Sequence, residues 1–277
     1  IDPSYVARLY NPDSRDFLYT SSRVESCLAI SYGYIWDGIV MKNATGPDAI
    51  PIYRISNPER HIYTSSETVR DNYLNNFGYK DEGISFYAYT SSASDRTPVY
   101  GLQQADTFFI TSSGREALMY QDSYNFYNFG TMYYTEKIST SPTPVYRISR
   151  NNARLYTTNN TEKTNAINLY GFTDEGIISS NDADPNDANV PVYRIRNPVT
   201  GGYVYTMSRL ERDTAVVNYS HISEGIAFYS LLWSNSPVYR ATNYRNLMRI
   251  YTNSLPEYQI SASKYGYSLE SNGWYSY

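Results

Sequence analysis

Two turns carry the residue types best suited to recognising a small polar ligand. One holds Asn57, Pro58, Glu59, Arg60 and His61, and the other runs from Asn197 and Pro198 through Gly201 and Gly202 to Tyr203. A sugar is recognised by hydrogen-bonding forks around its hydroxyls and by a flat apolar face beneath its ring. Asn57, Arg60 and His61 offer forks in the first turn, and Asn197 and Tyr203 offer a fork and a ring in the second. Binding through His61 would depend on pH, because histidine changes charge near neutrality. As residues of solvated turns, His61 and Tyr203 are expected to affect binding and leave stability nearly untouched.

A second constellation pairs arginine with acid. Arginine recurs as Arg8, Arg54, Arg147, Arg194 and Arg240. An acid before glycine recurs as Asp37-Gly38, Glu82-Gly83, Glu175-Gly176 and Glu224-Gly225, with Glu270-Ser271 a degraded form. One segment lacks both partners and has Gly101 and Phe129 instead. Joint loss predicts contact, since a half-buried charge deprived of its partner is strongly destabilising. The expected pairs Arg54–Glu82, Arg147–Glu175 and Arg194–Glu224 are therefore scaffold before they are a ligand site.

Motifs for catalysis are missing from the sequence. It has no Gly-x-Ser-x-Gly, no His-Glu-x-x-His and no glycine loop that could cradle phosphate. Two histidines and one cysteine are too few for an ordinary zinc site. The run Asn181–Asp187 lacks the central glycine and closing glutamate of a calcium loop and reads as a solvated acidic loop. No enzyme, cofactor or metal is expected. Carboxylate-based glycoside hydrolysis stays an alternative, because its two acids can come from distant positions.

The elements that position these residues follow from a repeat. The landmark positions Arg8, Arg54, Gly101, Arg147, Arg194 and Arg240 fall every 46 or 47 residues. Each is followed by a threonine (Thr20, Thr64, Thr111, Thr157, Thr206, Thr252), with tyrosine before it in all repeats but the third. Proline opens the first strand in five repeats, where its missing N–H does no harm, and Asn-Pro marks the turn after it in three. A capping box then starts a helix at Ser22, Ser113, Asn159, Ser208 and Ser254, with the acid three residues on expected to reach back to the cap. Repeat 2 departs, with Val69 in place of the acid. Gly33, Gly78, Asn125, Gly171, Ser220 and Gly266 are expected to close the helices in the left-handed region. Val24, Cys27 and Leu28 form the expected inner face of the first helix, with Cys27 in the core.

Similarity is strongest at every third repeat. Arg8 and Arg147 stand 139 residues apart, and Arg54 and Arg194 stand 140 apart, within like-ending repeats. That superperiod suits two tandem three-repeat domains better than one six-fold ring. The expected fold is all-β with short helices: two β-trefoil-like domains, residues 1–140 and 141–277, joined near residues 136–143. The alternative is one six-bladed β-propeller.

Composition narrows the partners. Tyrosine reaches 33 copies, suited to half-buried strands with a polar tip. A net charge of -4 without a lysine or arginine block argues against nucleic acid or an anionic membrane. No run approaches the length of an apolar membrane span. The single cysteine excludes an internal disulfide. The opening Ile-Asp-Pro is expected of a mature secreted product or of a piece of a longer protein.

The pattern PVYR–x–x–NP, HIYT, SxxE and GYxDEGIxFY resembles a family of tyrosine-rich repeats of unknown function. They occur in secreted bacterial and fungal proteins and are often appended to cell-wall hydrolases and peptidases. The fullest copies are IYRISNPERHIYT with GYKDEGISFY in repeat 2, and their counterparts in repeat 5. The resemblance implies repeats in threes and a ligand- or wall-targeting role, with glycans or cell-wall polymer as partners. It attaches no catalytic residue to the motif. The family's histidine before the Φ-Tyr-Thr triplet survives as His61, while Phe17, Phe108, Arg154, Tyr203 and Arg249 hold the equivalent positions. The function expected is a non-catalytic, lectin-like module, secreted or at the cell surface. A protein-binding adhesin is the alternative.

Overall fold

The computed structural model describes residues 4–137, 142–151, 153–183, 189–231 and 234–277. Parts of the expected joint at 136–143 and of the acidic loop 181–187 lie outside them. The chain forms two compact units, one built on Ile1–Ser139 and the other on Thr140–Asp184 with Asn189–Tyr277.

Each unit holds three repeats with one element order: strand, strand, helix, strand. In repeat 5 these are Asn189–Arg196, Tyr203–Thr206, Arg209–Tyr219 and Ile222–Leu231. The first strand is central and antiparallel to both others. The fold is all-β with short helices, in two trefoil-like domains of three repeats. A helix stands where a full trefoil repeat would have a further strand. In the second unit each repeat keeps its own three-stranded sheet; in the first, Lys42 opposite Glu136 joins repeats 1 and 3 into one six-stranded sheet.

A propeller is excluded by where the repeats close. Arg8 of repeat 1 grips Glu116 of repeat 3, and Arg147 of repeat 4 grips Glu257 of repeat 6. Both circles therefore shut after three repeats.

The core of the second unit shows the same symmetry. Each repeat gives one valine from its first strand (Val145, Val192, Val238), one tyrosine from its second (Tyr156, Tyr205, Tyr251) and one large residue from its third (Ile178, Phe228, Trp274). The tyrosines form a cycle. The Tyr205 hydroxyl accepts the backbone N–H of Tyr156 at 2.9 Å and donates to its carbonyl at 2.9 Å. Tyr251 serves Tyr205 in the same way, and Tyr156 serves Tyr251. Buried backbone groups must be paired, and no ladder reaches these. In the first unit Tyr19 serves Ile110, and Tyr63 accepts the Tyr19 N–H at 2.8 Å and donates to the Phe17 carbonyl, so the cycle breaks only at repeat 3, where isoleucine has no hydroxyl.

The landmark threonine has its own task. Its hydroxyl accepts the N–H of the helix cap in all six repeats, at 2.9 to 3.1 Å. The cap oxygen then accepts from the third helical N–H, as Ser208 does from Glu211. The expected return of the acid to the cap therefore does not occur. Threonine takes that donor, and the glutamate is released for another partner. All six expected helix-closing residues have positive φ, from +52° at Ser220 to +89° at Gly33.

Cys27 is exposed, not buried, and Val24 and Leu28 are exposed by 79% and 53%. Ser26 and Ala29 form the buried face instead. Glu25 must face Arg54, and residues four apart share a helix face, so Ala29 turns inward with it.

Candidate functional site

The repeated arginines are fully occupied. Each points Nε at the acid before glycine in its own repeat, as at Arg194–Glu224 (2.8 Å), Arg147–Glu175 (2.6 Å) and Arg54–Glu82 (2.5 Å). Each points its outer nitrogens at the helix glutamate of the preceding repeat: Arg194 to Glu162 at 2.9 Å, Arg240 to Glu211 at 3.0 Å, and Arg54 to Glu25. The glycine beside the acid has positive φ and sits at a register shift, as Gly225 opposite Arg194 does. Such a bulge needs glycine and re-aims the neighbouring acid. Burial pushes the carboxyls of Glu25 and Glu257 up, but hydrogen bonds from Arg54 and Arg147 outweigh it and hold both below the usual range.

Repeat 3 lacks the arginine, and its two acidic partners are lost with it. Gly101 faces Gly130, the neighbour of Phe129, and the preceding repeat contributes Val69 at the helix position. The Met132 thioether fills the space a Cβ on Gly101 would take. These charges hold repeats together and leave nothing for a ligand.

The hairpin turns lie elsewhere and are open. In the first unit the turns of all three repeats line one cavity of about 530 Å³, with Arg15 and Asp16, Glu59 and Arg60, and Ala105 and Asp106. In the second unit the corresponding turns line a cavity of about 170 Å³ around Arg154, Tyr203 and Arg249. Beside it lies a larger cavity of about 690 Å³ between repeats 5 and 6, sharing Thr200, Gly202, Leu247 and Arg249. Its wall is mostly apolar, with Leu210, Tyr219 and Tyr244, and its polar groups include Asn197, His221, Arg249 and Glu211, the last already paired with Arg240. Its size and mixed lining are those of a small-molecule site.

The residues expected to bind separate into distinct roles. Asn57 and Asn197 use Oδ1 on their own turns, accepting the N–H groups two and three residues on at 2.9 to 3.1 Å. Arg60 donates to the Tyr79 hydroxyl at 2.6 Å and pairs with Asp106. His61 lies at the start of a strand rather than in a free turn. Its N–H and Nδ1 meet Asp16 at 2.8 and 2.5 Å, its Nε2 lies 3.6 Å from Glu82, and Tyr34 donates to the same Asp16 at 2.6 Å. That packing overturns the expectation that His61 can be changed without affecting stability. Tyr203 is half-buried beneath the second mouth, with its phenol pushed up by burial and by Glu224. Asn197 and Tyr203 line the two adjoining cavities, whereas Asn57, Arg60 and His61 belong to the other unit.

Sequence reasoning named Arg154 and Arg249 as equivalents of His61 but counted neither of them, nor Leu247, among the binding residues. The signal was the position before the Φ-Tyr-Thr triplet. That position is the first or second residue of each second strand, so the residues filling it in repeats 4 to 6 meet around one cavity.

The fold and turns define a class: a tandem three-repeat domain with an open mouth where its hairpins meet. The chain belongs to the family described as Domain of unknown function (DUF5648), whose model matches residues 5–136, 90–182 and 144–277. Two matches coincide with the two units, and the third spans repeats 3 and 4. No curated protein and no solved structure matches the chain.

Proposed function

We propose that this chain is a non-catalytic carbohydrate- or cell-wall-polymer-binding module, lectin-like, working outside the cell or at its surface. The observation that carries this reading is the paired cavity of the second unit. Apolar and aromatic faces from Leu210, Tyr219 and Tyr244 alternate there with Asn197, His221 and Arg249. A sugar ring needs both kinds of contact. The repeated arginine–acid clusters do not compete for the role, since each is consumed in joining repeats. The resemblance to repeats appended to cell-wall hydrolases supports the same reading. Two similar domains on one chain would add avidity to a weak site.

The test is a glycan array probed with the full chain, together with pull-down on insoluble bacterial peptidoglycan. Saturable binding to a defined saccharide class or to the wall polymer is expected. Failure to bind either at high protein concentration would overturn the reading.

A further inference from the structure

We propose that the mouth of the second unit binds the carboxylate of an acidic sugar residue between Arg154 and Arg249, with the rest of the saccharide in the adjoining cavity. This rests on the carbohydrate reading and specifies its substrate class.

The argument begins with charge. Arg154 from repeat 4 and Arg249 from repeat 6 line the same small cavity, and no carboxylate lines it. Arg154 has Glu175 at 3.7 Å, beyond a good hydrogen bond, and that carboxylate is already held by Arg147 at 2.6 Å. Arg249 makes no ion pair among the described residues. The landmark arginines are each matched by two acids, so two under-matched guanidinium groups around one cavity stand out. Like charges brought together and partly shielded from water repel, and an anion between them relieves that repulsion. Guanidinium forks match the geometry of a carboxylate.

The neighbouring features fit a sugar carrying that carboxylate. Tyr203 lies at the base of the mouth, and its raised phenol stays protonated and able to donate. The larger cavity continues from the same Arg249 and offers the rings of Tyr219 and Tyr244. Leu247 borders both cavities with φ +58° and is 47% exposed. The matching turn in repeat 5 places Gly201 in that conformation at φ +70°, without strain. Arg15, Ala105 and Asn151 adopt the same conformation in their own turns, so it belongs to the hairpin, and what Leu247 adds is an exposed apolar side chain beside both cavities.

The first unit provides the contrast. Its mouth also has two arginines, Arg15 and Arg60, but Asp16, Glu59 and Asp106 line the same cavity. Arg60 is paired with Asp106. Acid binding is therefore a property of the second unit alone.

The experiment is titration calorimetry of the full chain with an oligogalacturonate, with the same oligomer fully methyl-esterified, and with inorganic phosphate. The acidic oligomer is expected to bind at least roughly tenfold tighter than the ester, with the margin shrinking as salt rises. Arg154→Gln and Arg249→Gln should each remove most of that margin and leave ester binding in place. Arg249→Lys, which keeps the charge and loses the fork, should fall between. Arg15→Gln, in the other mouth, should change nothing. Thermal midpoints matching the unsubstituted protein would show that the variants fold. Equal affinity for acid and ester would overturn the acidic inference and leave the carbohydrate reading standing. Failure of both oligomers, when the array is also blank, would overturn the two together. Phosphate binding as tightly as the oligomer would reduce the mouth to a simple anion site and overturn the proposal.

Discussion

Arg147 and Glu257, drawn from the first and last repeats of the second unit, meet at 3.0 Å and close its ring. The same guanidinium holds Glu175 of its own repeat at 2.6 Å. Every repeat but the third is thus joined to the one before it by a single residue type. The strength of that joint should track its burial.

Arg8 is the most buried case, with Arg8 and Asp37 fully buried and Glu116 nearly so. Arg8→Ala should cost about 4 kcal/mol in denaturant unfolding, because two buried carboxylates lose their counter-charge. Arg194, with partners 33% and 23% exposed, should cost about half as much on the same change. Equal losses at the two sites would contradict this account.

The third repeat allows a coupling test. Gly101→Arg alone should be strongly destabilising, since it adds a charge facing Val69 and displaces the Met132 thioether. Combined with Val69→Glu and Phe129→Glu, part of the loss should return, with a favourable interaction term of about 1 kcal/mol or more. Strict additivity would show that the three positions do not meet.

Tyr251→Phe should destabilise the second unit by about 2–3 kcal/mol, because a buried N–H and carbonyl of Tyr205 both lose their partner. Tyr219→Phe, on an exposed ring, should have little effect. Thermal or urea unfolding of the two variants side by side checks it.

Stability should fall at both ends of the pH scale. Glu25, Glu257 and Glu270 have carboxyls held below their ordinary value of 4.5, so they stabilise the fold above it. That contribution is lost as pH falls through their lowered values. The core tyrosines go the other way. Burial raises the Tyr251 phenol to about 12 and those of Tyr156 and Tyr205 too, against an ordinary 10.0. Folded protein keeps protons that unfolded protein releases, so stability drops as pH rises from 10 towards 12. Urea midpoints across pH should show both declines. Tyrosinate absorbance should show the core tyrosines ionising only as the fold opens.

Leu247→Gly should leave stability unchanged or raise it by up to about 1 kcal/mol, by relieving the left-handed leucine. It should also weaken saccharide binding. Reduced stability without loss of binding would place Leu247 in the scaffold.

The scaffold was legible because its rules are local and repeated. The tyrosine–threonine landmark put Tyr156, Tyr205 and Tyr251 at one position of the repeat, and the joint absence of Arg and acid at Gly101 and Phe129 predicted the first half of the ion network. The other half was hidden. Val69 stood out as the one repeat without a helix acid, but its link to Gly101 crosses between repeats and needs the ring to be closed. Cys27 was misplaced because apolar spacing on a short helix was weighed above the demand that Glu25 face Arg54. The mouth was illegible for a similar reason: Arg154 and Arg249 lie in different repeats, and only the three-fold arrangement brings them to one cavity. The turn residues Asn57 and Asn197 looked like ligand forks because the same oxygen that could hold a sugar also closes an Asx turn.

The most direct measurement is a crystal structure of the full chain soaked with a mixture of neutral and acidic saccharides. The account predicts ordered sugar in the second unit, between the turns of repeats 5 and 6, with a carboxylate against Arg154 and Arg249 and a ring beside Tyr219 or Tyr244. Sugar bound only to the first unit or to the helix faces, or both mouths empty at saturating saccharide, would contradict it.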